Sequence, residues 1–139
     1  MRLRRWVSVA AAAVVVFAAG SCASDVKRDA ACADASDAVV GLLSQALTKG
    51  GNIRFASVLP SPDADHVFVS FENRTADQVK SDRSGHILTV VAPSAASTSF
   101  EAVDERARHE TKFPEADIDV RANGAVTSRA CVLGARQAN

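Results

Sequence analysis

The sequence predicts an α+β fold, a small and mostly antiparallel sheet of about five strands packed by two helices, and three observations carry that prediction. Between Asp29 and about Lys49, Cys32, Ala35, Val39, Leu42, Leu43, Ala46 and Leu47 recur at three- and four-residue steps, the mark of an amphipathic helix. Short runs rich in β-branched residues, Ile53 to Leu59, His66 to Glu72 and His86 to Ala92, follow between turn-forming residues. Thr98-Ser99-Phe100-Glu101 then has the spacing of a capping box, which predicts a second helix to about Lys112. The element order is α-β-β-β-α-β-β.

In the first helix Asp29 serves as N-cap, Lys49 complements the C-terminal dipole, and Gly50-Gly51 supplies a left-handed stop. Pro60-Ser61-Pro62-Asp63 ends the first strand, because two prolines remove ladder donors. In the next, Val67, Val69 and Phe71 share one face, while His66, Ser70 and Glu72 share the wetter one with Phe68. Asn73 to Gly85 reads as a polar loop or one weak helical turn near Ala76 to Lys80. His86 to Ala92 is apolar on both faces and reads as a central strand. On the second helix Asp104 with Arg108 and Glu105 with His109 are four-residue pairs, and Pro114 ends the element. Ile118 to Ala122 and Ala125 to Leu133 flank Asn123-Gly124, the dipeptide best suited to a type I′ hairpin. Its inward and outward residues do not alternate cleanly, which a bulge or a sheet covered on both faces would resolve.

The amino terminus carries an address. Arg2, Arg4 and Arg5 form a basic region, Val7 to Ala19 an uncharged apolar run too short and Ala-rich for a spanning helix, and Ala18 to Ser21 a small-residue cleavage site. Residues 1–21 therefore read as a signal peptide, 22–28 as a polar tether and 29–139 as a single domain. Ala19-Gly20-Ser21-Cys22 resembles the lipobox of bacterial lipoproteins, with Ala19 where that family most often has Leu. The resemblance implies that Cys22 is acylated and becomes the mature N-terminus, anchoring the protein by lipid at the outer face of the cell membrane. The alternative is ordinary cleavage and free secretion. With Cys22 lipidated, Cys32 and Cys131 remain as one disulfide pair in an oxidising compartment; the competing pair, Cys22 with Cys32, would block lipidation and strand Cys131.

Composition narrows the function. After the signal, sixteen acidic residues face thirteen basic ones, a formal charge of −3 that offers nucleic acid no general affinity. The mature chain has five Phe and no Trp or Tyr, so no stacking platform for bases or sugars is evident. No nucleophile elbow, Ser-x-x-Lys or phosphate-cradling glycine loop occurs, and no cofactor is implied. The reactive-looking cluster is Asp63, Asp65 and His66 at the lip of the second strand, with His86 at the head of the third as its fourth candidate member. Those four would be the metal or acid–base group of a small exported hydrolase or metal-dependent enzyme. The competing expectation is a non-catalytic exported lipoprotein domain that binds an envelope partner or a small ligand.

Overall fold

Five strands pair in sequence order as an antiparallel meander, β1-β2-β3-β4-β5, in a computed structural model that describes residues 31–62, 65–94 and 97–139. Ala33–Asp34 (β1) is a two-residue edge piece on Asn52–Pro60 (β2). Val67–Arg74 (β3) lies between β2 and His86–Ala92 (β4), with Glu101–Ala102 (β5) on the far edge. The helices are Asp37–Ala46 (α1), Ala76–Lys80 (α2), Glu105–Glu110 (α3) and Asn123–Gln137 (α4). The α+β class and the antiparallel sheet stand as the sequence predicts.

Several element boundaries do not. The first helix starts later than Asp29, which lies outside the described residues: Ser36 is its N-cap, its side chain accepting from Val39 N at 3.3 Å. Helix α1 also stops at Ala46, before the glycines, although Gly50 does take a left-handed φ of 65°. The box at Thr98 and Glu101 is not used. Phe100 and Ala102 are buried, and the Ala102 N–H and carbonyl bond Pro114 and Ala116, so this segment is held as an edge strand rather than a helix. Asp104 caps the short α3 instead, accepting from Ala107 N at 2.8 Å. A Thr-x-x-Gln box does form at Thr75 and Gln78, opening α2 where the weak turn was expected.

The largest difference is at the carboxyl end. Asn123-Gly124 makes no hairpin; the residues from 123 onward form one helix, α4. Ala125, Ser128, Cys131, Val132 and Ala135 are buried at three- and four-residue steps, a helical stripe of mostly small residues. Gly124 is needed for proximity rather than for a turn, since a Cβ there would overlap the Phe68 ring. Helix α4 thus covers the face of β3 that polar Ser70 and Glu72 mark as wet, and Phe68 is only 1% exposed. The opposite face packs Leu43, Leu47 and Ala107 of the α1 and α3 region on Val69, Phe71, Leu88 and Val90. Both faces of the sheet are therefore covered, and all eight residues of β3 are buried.

Two kinds of tie hold the layers. Lys112 N donates to the Ala46 carbonyl at 2.8 Å and Thr48 N to the Glu110 carbonyl at 2.9 Å, fastening the ends of α1 and α3 together. Cys32 and Cys131 form a disulfide across 99 residues with a Cα–Cα distance of 5.9 Å. It joins the segment before β1 to α4, not a first helix to a last strand. The chain-entropy value for a loop of this length is about 4.7 kcal/mol.

Gly124→Ala should be destabilising by about 1–3 kcal/mol through overpacking against Phe68. This outweighs the propensity gain of alanine over glycine, at most about 1 kcal/mol and smaller in the first turn of α4. Urea unfolding of the two proteins measures the difference, and a variant as stable as the parent would contradict the close approach.

Candidate functional site

Strand β3 ends in three polar residues, Glu72, Asn73 and Arg74, and they organise one end of the sheet. Glu72, fully buried, accepts from Arg54 Nε at 2.8 Å, from Arg136 Nε at 2.8 Å and from Gly85 N at 3.1 Å. Arg136 Nη2 also donates to the Gly85 carbonyl at 2.6 Å. A bulge in β2 makes this possible. Between the pairs Arg54↔Glu72 and Ser57↔Ser70, β2 spends one residue more than β3, which moves Arg54 onto the face of Glu72. Phe55 absorbs the extra residue at φ 55°, a left-handed conformation that costs a bulky side chain of order 1–3 kcal/mol. The Arg54 guanidinium lies 4.6 Å from the Phe55 ring centroid, a cation–π contact that returns part of that cost.

Asn73 points to the other face. Its Nδ2 donates to Glu110 Oε1 at 3.3 Å, and His86 Nδ1 sits 2.9 Å from Glu110 Oε2. An Asn–Glu–His line thus crosses β3, α3 and β4. Beyond the strand ends is a cleft of about 690 Å³. Residues 48–52 form one wall, the α2 residues Ala76, Val79 and Lys80 another, and His109 with Glu110 a third, with Asn73 and Arg74 at its buried side. Gly51 lets the first wall close in, since a Cβ at that position would strike the Asn73 side-chain oxygen. Two buried polar atoms here lack a hydrogen-bond partner, Asn73 Oδ1 and Arg74 Nε. The volume lies in the range of sites for small organic molecules.

Arg74 differs from the other two arginines at this end. Its Nη2 donates to the neutral Asn52 Oδ1 at 3.2 Å, and its carboxylate contact is Asp82, at 3.6 Å and with a side chain 92% exposed. The Arg74 side chain itself is 9% exposed. A buried guanidinium whose acid partner is solvent-exposed is only weakly compensated and keeps part of its field for the cleft.

Of the residues that the sequence grouped as an acid–base or metal cluster, His86 does not come together with Asp65 and His66. Asp63 lies outside the described residues. Asp65 is exposed, and His66 is half-buried, edge-on to Phe68 with ring centroids 5.1 Å apart. Antiparallel pairing sets Val67 opposite Ala92 and Asn73 opposite His86, so the two histidines occupy opposite ends of the sheet. About 20 Å of strand separates them. No group of three or more His, Cys, Asp or Glu able to hold a metal occurs among the described residues. The pairing thus keeps His86 away from Asp65 and His66. Cys22 also lies outside the described residues. The cleft residues went unread in the sequence because Asn73 and Arg74 looked like the start of a loop. The local signal was the Thr75-x-x-Gln78 box, which marks Arg74 as the last strand residue.

A second cavity, of about 270 Å³, is bounded by Thr89, Val103, Asp104, Ala125, Val126 and Arg129 and is too small for most ligands. Burial dominates at Asp104 and pushes its carboxyl above the ordinary value of 3.8, against N–H groups of Ala107 and Thr89 and the charges of Arg129 and Arg108. At Glu72 burial also pushes upward, but the hydrogen bonds from Arg54 and Gly85 and the charge of Arg136 outweigh it. They hold this carboxyl below its ordinary 4.5.

The two shifts act on stability with opposite signs. With its folded pKa depressed, Glu72 contributes stability that is complete above 4.5 and lost as pH falls through the folded value. Glu72→Gln should cost about 3 kcal/mol at neutral pH, leaving two arginines without their anion, and the deficit should shrink in that acidic window. With its folded pKa raised, Asp104 contributes stability that is complete below 3.8 and lost as pH rises through the folded value. Asp104→Asn retains a side-chain oxygen for the α3 cap, so its stability relative to the parent should improve as pH rises from about 3 to 7. Denaturant unfolding at stepped pH measures both, and parallel parent and variant profiles would contradict the linkage. In comparison with known proteins, the chain matches no family, no curated protein and no solved structure.

Proposed function

We propose that this chain is a membrane-anchored, non-catalytic exported lipoprotein domain that binds a small ligand or an envelope partner. The observation that carries the reading is the cysteine arithmetic. The sequence has three cysteines, and Cys32 and Cys131 are consumed by the disulfide, so Cys22 is left as the one thiol available for acylation. That remaining cysteine ends a basic, then apolar, then small-residue segment whose order is that of an export signal. A disulfide is compatible with an oxidising compartment. No helix among the described residues is long and apolar enough to cross a membrane, so attachment on this reading falls to lipid. The binding half of the proposal is supported by the cleft beyond β3 and its orphaned polar atoms.

The ten-residue step from Cys22 to Cys32 reaches at most about 35 Å, so the domain is held close to the bilayer. The test is the intact mass of the mature protein from host membranes, before and after reduction and alkylation. The expected result is a chain beginning at Cys22 with acyl mass, and two further thiols that alkylate only after reduction. An unlipidated chain in the soluble fraction would overturn the anchor and leave a freely secreted protein.

A further inference from the structure

We propose that the cleft beyond β3 binds a small, water-soluble phosphomonoester, with Arg74 as its buried cationic anchor and Lys49 and Lys80 as rim charges. Three cations line this cleft, one on each of two walls and one at the buried side, against a single carboxylate, Glu110. Glu110 is already engaged by Asn73 and His86. Arg54 and Arg136 share the buried Glu72 carboxylate, but Arg74 has only the neutral Asn52 and the exposed Asp82. Its Nε, buried and without an acceptor, is a donor the fold leaves unmet. Burying such a cation against only a solvent-exposed carboxylate is expensive, and an incoming anion offsets that expense.

The charge arrangement favours phosphate over carboxylate. Lysine acts on phosphate as a point charge without the planar fit a carboxylate asks of arginine, and a dianion engages separated cations better than a monoanion does. Ala76 and the 41%-exposed Val79 on the α2 wall leave room for a small apolar body attached to that group. A soluble molecule fits the position better than a lipid headgroup. Cys32 adjoins β1, which pairs with Ser57 and Val58, whereas the cleft opens at Asn52, toward the other end of β2. A tether entering at Cys32 therefore meets the domain at the far end of the strand from the cleft.

The inference rests on the binding half of the proposed function and is independent of the anchor, so the two can fail separately. The mature chain, from whichever fraction holds it, is titrated calorimetrically with phenyl phosphate. Benzoate tests the carboxylate and glycerophosphoglycerol the headgroup diester. Saturable binding of phenyl phosphate is expected, at least about tenfold tighter than either and weakened by added salt. Lys80→Gln and Lys49→Gln, both at exposed positions, should each weaken it about three- to tenfold with unchanged unfolding midpoints, and Arg74→Gln at least tenfold. Tighter binding of benzoate would overturn the phosphate assignment, and tighter binding of the diester the soluble source. Absence of saturable binding, or affinity as high as the parent's in both lysine variants, would overturn the site while leaving the mass result untouched.

Discussion

The Glu72 carboxylate is the constraint on which the rest of this structure depends. Fully buried, it would be prohibitive alone, and it stands only because three elements deliver donors to it at once: Arg54 from β2, Gly85 from the lead into β4 and Arg136 from the end of α4. Each delivery has its own structural cost. Arg54 requires the bulge and the left-handed Phe55, and Arg136 requires α4 to run its full length across the sheet. A charge that is satisfied only by the complete arrangement discriminates against partial ones, in which it is desolvated without its partners.

The second covered face follows from the same helix. Helix α4 approaches β3 through small residues, with Gly124 against Phe68 and Ser128 sharing a buried hydroxyl chain with Ser70 and Thr89 at 2.8 and 2.7 Å. The chain needs no charge, since each hydroxyl can donate once and accept twice. The disulfide pins the middle of α4 to the segment before β1, so the helix is tied covalently there and ionically at Arg136. At the opposite side, Leu43, Phe71, Leu88 and Phe100 supply an ordinary apolar core for α1 and α3, with no disulfide among their ties. The proposed site sits where these supports end. Asn73 and Arg74 are the last residues of β3, held by the sheet on one side and open to the cleft on the other, so their positions are set before any ligand arrives.

What could be read locally was read from particular residues. The three-strand hairpin series is written in the β-branched runs ended by Pro60 and by the polar segment before His86. The Ala76 to Lys80 turn was legible as a polar helical turn, and the Glu105–His109 pair forms at 3.6 Å as its spacing suggests. Arg108 instead joins Glu115 at 2.9 Å, because its expected partner Asp104 is occupied as the cap of α3. Thr98 and Glu101 have the spacing of a capping box, but burial of Phe100 and Ala102 at the sheet edge outweighs roughly a kilocalorie of cap.

By itself the sequence determined the class, the strand runs between turn residues and the cysteine pairs open to bridging, because periodicity, turn residues and cysteine count are properties of the chain alone. Only the tertiary structure decided the carboxyl-terminal helix, the burial of Ser70 and Glu72, and the cleft with its anchor at Arg74. The physical reason is common to all three. A polar residue on a strand looks the same whether it faces water or a partner contributed from 64 positions away, as Arg136 is to Glu72. Asn-Gly suits a tight turn and a close helix approach equally well until the Phe68 ring is set against it.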